Sequence, residues 1–225
     1  MNKLHMPWLM LVTEPSKNLP VIVSDAISGG VTVVQWRQKT ALKSDYRRTY
    51  SALGAVIQET VPLVVNTMWE VAVKLHVTNT HLPERSVPLK AVRKELGSRA
   101  LIGKSVHSAA AAADAEAEGA NYVLAGPIFE SVSHPGVAPQ GLDFLRAVCQ
   151  SVSIPVLAIG GVTPENIADC IIAGASGIAI QSSIMQAKNP SAAAYEYRTA
   201  LELAWLMKNH KQEDARLSVA HLSLR

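Results

Sequence analysis

The amino-acid sequence predicts an α/β protein, a single TIM (β/α)8 barrel with parallel strands, and three observations support this prediction. The chain has 225 residues, a length at which such a barrel forms one domain, and 48% of them are hydrophobic, enough for a large core. Short apolar segments alternate with helical segments along the whole chain, as in repeated βα units. The last two apolar segments end in small residues, as the phosphate-binding strands of these barrels do.

The apolar segments are interpreted as the strands of the barrel. Each is short and is followed within a few residues by a polar or glycine-containing turn. The predicted strands are residues 8–13, 32–37, 63–66, 76–81, 100–105, 122–126, 156–160 and 177–181.

Helices are predicted between these strands from apolar residues spaced three and four apart. We expect such apolar faces to pack on the barrel. The alanine-rich segment 109–118 favours a helix, and Gly119 is expected at its C-terminal cap. Two apolar faces are clear: Tyr46, Tyr50, Leu53 and Ile57 in one helix, and Leu89, Val92 and Leu96 in another.

Two segments depart from this alternation. Residues 127–140 form a long loop with three prolines and no periodic pattern, and this length predicts a lid over the site. The last stretch, residues 209–225, is polar and follows the last barrel helix. The barrel domain is therefore predicted to span residues 1–208, with a tail that frays or packs on a partner subunit.

Charge and composition argue against several classes of protein. The 21 basic and 18 acidic residues give a net charge of +3 and form no basic stripe, so no nucleic-acid partner is expected. No apolar segment is long enough for a signal peptide or a membrane span, which predicts a cytoplasmic protein without a membrane partner. Cys149 and Cys170 have apolar neighbours in predicted helices, as expected of reduced thiols, and no metal-binding cysteine cluster is present in the sequence.

Two segments near the C-terminus predict a phosphate site. One apolar strand ends in Gly160 and Gly161, and the next strand is followed by Ser182 and Ser183. In eight-stranded barrels the loops after the last two strands are the usual place for a phosphate. A Gly-Gly turn also occurs without any ligand, so a simple tight turn is the alternative.

The residues after these strands are predicted to begin helices. Thr163 is the expected N-cap of one helix, with Pro164 at its first position, and a second helix is expected to begin near Ser182. A helix N-terminus offers backbone N–H donors and partial positive charge. Such a site is expected to hold a phosphomonoester without an arginine.

Polar residues follow other predicted strands at the end where barrel enzymes carry their chemistry. Gln35, Arg37 and Lys39 share one side of an extended segment because they are two residues apart. A guanidinium and an ammonium group beside a glutamine predict a binding site for a phosphate or a carboxylate, with a solvated strand end as the alternative. Further candidates are Asn66 after the third strand, Ser105 and His107 after the fifth, and His134 in the long loop.

Four segments of the chain resemble the thiamine-phosphate synthase/TenI family: residues 35–39, 119–130, 133–136 and 158–166. The resemblance covers nearly the whole chain. It implies a TIM barrel, usually a homo-oligomer, that binds a small-molecule thiazole phosphate in thiamin biosynthesis. In the synthase branch it implies a transferase that joins this thiazole phosphate to an aminopyrimidine methyl pyrophosphate, with Mg²⁺ carried by the pyrophosphate.

The same resemblance implies roles for the candidate residues. Ser105 matches a substrate contact. The pyrophosphate side is matched by Gln35, Arg37, Lys39 and Asn66, and the thiazole-phosphate cup by Gly160, Gly161, Ser182 and Ser183.

The chain departs from the synthase branch at two metal-binding positions. The resemblance implies an Asp after Asn66 and another after the fourth strand, where this chain has Thr67 and Ser86. Mg²⁺ usually takes one or two protein carboxylates. No protein metal ligand and no cofactor are therefore predicted, except for Mg²⁺ if the chain is a synthase.

The TenI branch also lacks these carboxylates, and its activity is thiazole tautomerisation. Its aromatising members use a His after the sixth strand, where this chain has Pro127, which cannot transfer a proton. His134 or His107 is therefore predicted to act as the acid and base. Three functions stay open: a TenI-like tautomerase, which is favoured here, a thiamine-phosphate synthase without the usual Mg²⁺ ligands, and a non-catalytic regulator that binds thiazole or thiamine phosphate.

Overall fold

A computed structural model of the chain describes residues 6–38, 43–58, 60–131 and 136–222. Side chains are described up to residue 210, except for those of residues 43–45. Within these residues eight parallel strands close into a barrel in sequence order, and the last strand pairs with the first. The predicted TIM barrel is confirmed. The strands are β1 (Trp8–Val12), β2 (Val33–Trp36), β3 (Leu63–Asn66), β4 (Thr80–Leu82), β5 (Ile102–Val106), β6 (Tyr122–Ala125), β7 (Val156–Ile159) and β8 (Gly177–Ile180).

Helices connect consecutive strands on the outside of the barrel. Two helices follow the last strand, a single turn and then a long helix that packs against the first and seventh helices. The helices described are α1 (Leu19–Ser28), α2 (Lys43–Ile57), α3 (Trp69–Lys74), α4 (Leu89–Leu96), α5 (Ala109–Ala117), α6 (Gly141–Ser151), α7 (Ile167–Ile172), α8 (Ser182–Met185) and α9 (Pro190–Leu222).

The core has two layers because side chains alternate between the two faces of each strand. One layer lies between the strands and the helices, and the other fills the barrel. Trp36 of β2 faces outwards and packs edge-on against Tyr46 of α2, with ring centroids 5.8 Å apart. Gln35, its neighbour in the strand, points into the barrel and contacts Met10. These two neighbours therefore point to opposite faces of the strand.

The predicted helical faces are also found at the barrel surface. Leu53 and Ile57 of α2 and Leu89 and Val92 of α4 are buried in the outer core layer. In α5, the side chain of Ser108 accepts a hydrogen bond from the backbone N–H of Ala111 at 3.0 Å, which caps the helix N-terminus. Gly119 follows the helix with φ +95, as its predicted place at the C-terminal cap requires.

The predicted beginning of the fourth strand is wrong. The strand begins at Thr80 instead of residue 76, because the backbone of the segment before it is hydrogen-bonded to α3. His76 adopts φ 55, and the backbone N–H of Val77 donates to the carbonyl of Ala72 at 2.9 Å. A left-handed residue and this turn hydrogen bond prevent residues 76 and 77 from pairing with β3.

The helix after β7 begins later than predicted. Thr163 is not its N-cap, because α7 begins at Ile167 and residues 164–166 form a turn. The side chain of Asn166 closes this turn by accepting from the Thr163 backbone N–H at 2.9 Å and donating to the Gly161 carbonyl at 3.0 Å. The side-chain hydrogen bonds of Asn166 make a longer turn more favourable than a helix that begins at Pro164.

The last helix continues through residue 209, where a polar tail is predicted, to Leu222. Residues 223–225 lie outside the described residues. Among the described residues, none of the helices has both the length and the apolar composition that a membrane-spanning helix needs. Cys149 and Cys170 are free thiols. Assembly into a homo-oligomer stays a prediction.

Candidate active site

The loops after β7 and β8 enclose a cavity of about 210 Å³ at the C-terminal end of the barrel. The four residues predicted for the phosphate cup, Gly160, Gly161, Ser182 and Ser183, all line it. The structure therefore brings together residues that are more than twenty positions apart in the sequence. We refer to the region formed by these four residues as the cup. Its other lining residues are Glu130, Ser131, Ile159, Val162, Thr163, Ala179, Ile180 and Gln181.

Both glycines of the cup have backbones that only glycine adopts readily. Gly160 has φ +94 and Gly161 has φ +64. A Cβ atom on Gly160 would lie 2.6 Å from Cβ of Pro127, and one on Gly161 would lie 2.2 Å from the carbonyl oxygen of Glu130. The loop after β6 therefore packs directly on the Gly-Gly turn, and the turn has no space for a side chain.

Helix α9 supports the cup from behind. The buried Tyr197 donates its hydroxyl proton to the carbonyl of Val162 at 3.1 Å, and its hydroxyl lies beside the side chain of Ser183. Burial raises the pKa of Tyr197, which stays a neutral phenol. One side chain thus connects the loops that follow β7 and β8. No sequence pattern singles it out, because it is one of several apolar residues in a long helix.

A second polar region lies inside the barrel, on the side of β2 and β3. The side-chain amide nitrogen of Asn66 donates to the side-chain oxygen of Gln35 at 2.5 Å. The hydroxyl of Thr67 donates to the side-chain oxygen of Asn66. Thr67 has φ 68, which is rare for a β-branched residue, and its backbone N–H donates to the His81 carbonyl at 2.7 Å. These hydrogen bonds hold the end of β3 in place.

This polar region continues across the barrel to β5. His81 lies between the Tyr122 hydroxyl, 3.2 Å from its Nδ1, and the Ser105 hydroxyl, 2.9 Å from its Nε2. Burial lowers the pKa of His81 to about 3, so its imidazole is neutral at physiological pH. Gly103 provides the space for Tyr122, since a Cβ atom there would lie 2.1 Å from the phenol ring. We refer to Thr67, Asn66, Gln35, Tyr122, His81 and Ser105 as the interior path.

Arg37 and Glu14 lie between the two regions. Glu14 accepts hydrogen bonds from the side chains of Gln181 at 3.3 Å and Gln186 at 3.0 Å. Burial lowers the pKa of Arg37, and the charge of Glu14 acts in the opposite direction. The backbone N–H of Arg37 donates to the Thr13 hydroxyl at 3.0 Å. The carboxylate of Glu14 therefore interacts with the loop after β8 and with the cation after β2.

The other predicted residues lie farther out or outside the described residues. His107 follows β5 on the rim of the barrel, is 56% exposed, and pairs through Nδ1 with Glu84 from the loop after β4. Lys39 and His134 lie outside the described residues, so their roles stay predictions. The base of the predicted lid is described, and there the side chain of Gln140 donates to the Gly126 carbonyl at 2.9 Å.

A family model described as thiamine monophosphate synthase matches residues 9–184. The chain belongs to this family. The family membership predicted from the sequence is therefore confirmed.

Individual relatives of this family agree with the match. The thiamine-phosphate synthase of Natronomonas pharaonis is 38% identical over 185 residues, which cover 80% of this chain and 86% of that protein. The thiamine-phosphate synthase of Chloroflexus aurantiacus is 38% identical over 184 residues, covering 81% and 85%. Thiamine phosphate pyrophosphorylase from Pyrococcus furiosus, a solved structure, has a TM-score of 0.78 at 29% identity and covers 88% of this chain and 96% of that one.

This thiamine monophosphate synthase family member has hydroxyl side chains where the resemblance implies metal-binding carboxylates. The hydroxyl of Thr67 donates to Asn66, and that of Ser86 donates to the backbone carbonyl of Val87 at 3.3 Å. In the ranges that the structure describes, no group of three His, Cys, Asp or Glu side chains could hold a metal ion. Because Mg²⁺ usually takes protein carboxylates, these donors do not fit a magnesium ion held by protein side chains.

Sequence reasoning missed several residues of this family member's site, namely Glu14, His81, Tyr122, Gln181 and Tyr197. His81 and Tyr122 lie within predicted strands, and their alternation with apolar neighbours was the available signal for an inward orientation. That signal does not identify a partner across the barrel. Glu14 directly follows a predicted strand, so the rule applied to the other strand ends could have found it.

Proposed function

We propose that this chain is a thiamine-phosphate synthase, a transferase that joins a thiazole phosphate to an aminopyrimidine methyl pyrophosphate. The observation that carries the proposal is the presence of two anion-suited regions, the cup and Arg37, at the mouth of one barrel. Two phosphorylated substrates that react with each other need two such regions. The names of the relatives described above support the same choice.

The proposed reaction forms one bond and breaks one bond. The thiazole ring nitrogen supplies the electron pair for a new C–N bond to the methylene carbon of the pyrimidine. The bond from that carbon to the pyrophosphate oxygen breaks, and its electron pair leaves with the pyrophosphate. The products are thiamine phosphate and pyrophosphate.

The cup is suited to the phosphate of the thiazole substrate. Its glycine backbone allows the ligand to approach closely, and the hydroxyls of Ser182 and Ser183 lie at its edge. Tyr197 fixes the distance between the loops that carry Val162 and Ser183. A site held in this way orients one reactant before the other binds, which lowers the entropic cost of the reaction.

Arg37 is suited to the leaving pyrophosphate. A guanidinium group stays protonated at any physiological pH, and its planar array of donors matches phosphate oxygens. Partial burial strengthens its interaction with developing negative charge because the local dielectric constant is low. Since the side chains described do not fit Mg²⁺, any such ion would enter with the pyrophosphate that it neutralises.

A thiazole tautomerase stays the second candidate, because of the pair formed by His107 and Glu84. A carboxylate on Nδ1 orients an imidazole and leaves Nε2 available for proton transfer. The replacement of both metal-binding carboxylates by Thr67 and Ser86 favours this candidate as well. The pair of His107 and Glu84 lies on the exposed rim of the barrel. It therefore supports the tautomerase less strongly than the two anion-suited regions support the synthase.

The test is product formation from both substrates, with and without Mg²⁺. We expect thiamine phosphate, measured by chromatography, and pyrophosphate, measured enzymatically, in equal amounts. Arg37→Gln is expected to lower kcat/KM for the pyrophosphate substrate about 100-fold. The affinity of this variant for thiazole phosphate, measured by calorimetry, should equal that of the wild type.

Arg146→Gln is the matched control, because Arg146 is an exposed arginine of α6 that pairs with Asp143. It should leave kcat/KM unchanged. Isomerisation of a thiazole carboxylate phosphate without coupling would contradict the synthase proposal and support the tautomerase. Binding of thiazole phosphate or thiamine phosphate without turnover of any substrate would support a regulator instead.

A further inference from the structure

A carboxylate lies across the seam at which the barrel closes. β1 and β8 pair in parallel at this seam, and Glu14 is the second residue after β1. Each of its two oxygens accepts a hydrogen bond from a side-chain amide, one from Gln181 at 3.3 Å and one from Gln186 at 3.0 Å. These partners are 167 and 172 positions away in the sequence. The carboxylate therefore connects the loop after the first strand to the residues after the last one.

The two glutamines bracket the helical turn that carries the serines of the cup. Gln181 directly precedes α8 and itself lines the cavity, and Gln186 directly follows α8. Helix α8 has only four residues, and a single helical turn has little stability of its own. Contacts at both of its ends therefore help to fix the positions of Ser182 and Ser183.

The direction of both hydrogen bonds follows from the chemistry of the groups. An ionised carboxylate only accepts, so each glutamine directs its amide nitrogen to Glu14. This pairing sets the orientation of the Gln181 amide at the edge of the cavity. Hydrogen bonds to an ionised acceptor are stronger than those between neutral groups, so a carboxylate supports the turn more firmly than a neutral side chain would.

The backbone that carries Glu14 is itself held in place. Thr13, the preceding residue, is buried, and its backbone N–H donates to the Gln35 carbonyl at 2.9 Å. Its hydroxyl accepts from the backbone N–H of Arg37 at 3.0 Å. These hydrogen bonds join Thr13 to the end of β2 and do not involve the Glu14 carboxylate. A change of the Glu14 side chain should therefore leave the backbone of Arg37 where it is.

The charge of Glu14 opposes such a supporting role. A negative charge near the cup repels a phosphate, and it also offsets part of the positive charge of Arg37. If Glu14 acted only through its charge, its removal would strengthen the binding of anions. If Glu14 holds the cup, its removal will weaken the binding of a phosphate there. The two roles thus predict changes of opposite sign.

We propose that Glu14 is a positioning residue of the cup, and that it acts through Gln181 and Gln186 to hold the turn of Ser182 and Ser183 in place for a phosphate. The identity of the ligand, thiazole phosphate, rests on the proposed function. The support needs two accepting oxygens on one side chain, which a carboxylate has and an amide has not.

The test is the affinity for thiazole phosphate and for inorganic pyrophosphate, each measured by calorimetry without the other. In Glu14→Ala we expect the dissociation constant of thiazole phosphate to rise about 10-fold, as for lost hydrogen bonds to a charged group. That of pyrophosphate should stay unchanged or fall by up to about 3-fold, because Arg37 loses a neighbouring negative charge. Weaker binding of both ligands would indicate a general loss of structure, and unchanged or tighter binding of thiazole phosphate would indicate a role through charge alone. Either result would overturn the proposal.

Two further variants show whether Glu14 acts through the glutamines. Glu14→Gln keeps one accepting oxygen and should restore the affinity for thiazole phosphate to within about 3-fold of wild type. When Gln181 and Gln186 are both replaced by alanine, adding Glu14→Ala should change the dissociation constant less than about twofold, because the groups that Glu14 holds are gone. A further 10-fold loss in that background, on the scale of about one hydrogen bond, would contradict the proposal.

Glu118→Ala is the matched control, since Glu118 pairs with Lys104 on the outside of β5. It should leave both dissociation constants unchanged. Binding without formation of thiamine phosphate in the wild-type protein would remove the proposed function, while the affinities would still decide the role of Glu14. If the wild-type protein binds no thiazole phosphate, the assignment of the cup fails and the proposal fails with it.

Discussion

The cup and the interior path lie at the same end of the barrel but are built in different ways. The cup is formed by the backbone of two neighbouring loops, with Gly160 and Gly161 at positive φ. The interior path is formed by side chains from five strands, and its partners are as far apart in the sequence as His81 and Tyr122, which are separated by 41 positions. A site made of backbone is specified locally, whereas a side-chain network exists only once the barrel has closed.

The two regions should therefore respond differently to substitution. The cup depends on space and backbone conformation, so it should be sensitive to added atoms. The interior path depends on the direction of hydrogen bonds, so it should be sensitive to lost protons and to pH. The following predictions test this difference, from the largest expected effect to the smallest.

Gly160→Ala should have the largest effect on stability. Its Cβ atom would lie 2.6 Å from Pro127, and its φ of +94 is unfavourable for alanine. We expect the free energy of unfolding, measured by urea denaturation, to fall by about 2–4 kcal/mol.

Gly97→Ala is the matched control for this substitution. Gly97 has nearly the same φ, +90, but a Cβ atom there meets nothing within 4 Å. With φ 90 and ψ 164 its backbone alone disfavours alanine by about 1–3 kcal/mol, so the loss in Gly160→Ala should exceed that in Gly97→Ala by the cost of the contact with Pro127. Equal losses in the two variants would show that close packing around the cup is unimportant.

The interior path should make stability dependent on pH through His81. Its folded pKa of about 3 lies below the ordinary value of 6.5, so the unfolded state binds more protons between these values. The stability that comes from keeping His81 neutral is present above about pH 6.5 and is lost as the pH falls toward 3. Between pH 7 and 5 we expect a loss of about 2 kcal/mol from this group, measured by urea denaturation at each pH.

His107→Gln is the control for the pH dependence, because His107 is exposed and lies on the rim. It should leave the slope of stability against pH nearly unchanged. His81→Asn should flatten that slope even if its overall stability is lower. An unchanged slope in His81→Asn would argue that other groups cause the acid sensitivity.

Tyr197→Phe should weaken the cup moderately. The variant loses the hydrogen bond of the phenol with Val162 and its polar contact with Ser183 but keeps the buried ring. We expect about 1 kcal/mol less stability and about 5-fold weaker binding of thiazole phosphate by calorimetry. Tyr195→Phe, an exposed position in the same helix, should change neither value.

Glu14→Gln should have the smallest effect, because it alters the charge between the two regions but keeps a side-chain oxygen. That oxygen can still accept from Gln181 or Gln186, while Arg37 loses a neighbouring negative charge. We expect a change in kcat/KM of about 3-fold in product formation at low ionic strength, and less at high salt. The control is Glu118→Gln, which breaks a pair with Lys104 on the outside of β5. A similar change in the control would remove any special role for Glu14.

Much of the fold could be predicted from the sequence because its signals are local. Seven of the eight strands have nearly the predicted bounds, since a buried strand is a short apolar segment between turns. The exception, β4, has only three residues, and the turn that His76 makes after α3 gives little local signal. Thr163 and Pro164 resemble the beginning of a helix, but Asn166 forms side-chain hydrogen bonds that delay it to Ile167.

The sequence by itself determined the barrel, the family and the residues of the cup. It could do so because apolar alternation and the Gly-Gly turn depend on neighbours in the chain. Only the tertiary structure decided that His81 lies between Tyr122 and Ser105, that Asn66 donates to Gln35, and that Tyr197 supports the cup. These contacts depend on the register of eight strands around a closed barrel, which brings together side chains that no local pattern connects.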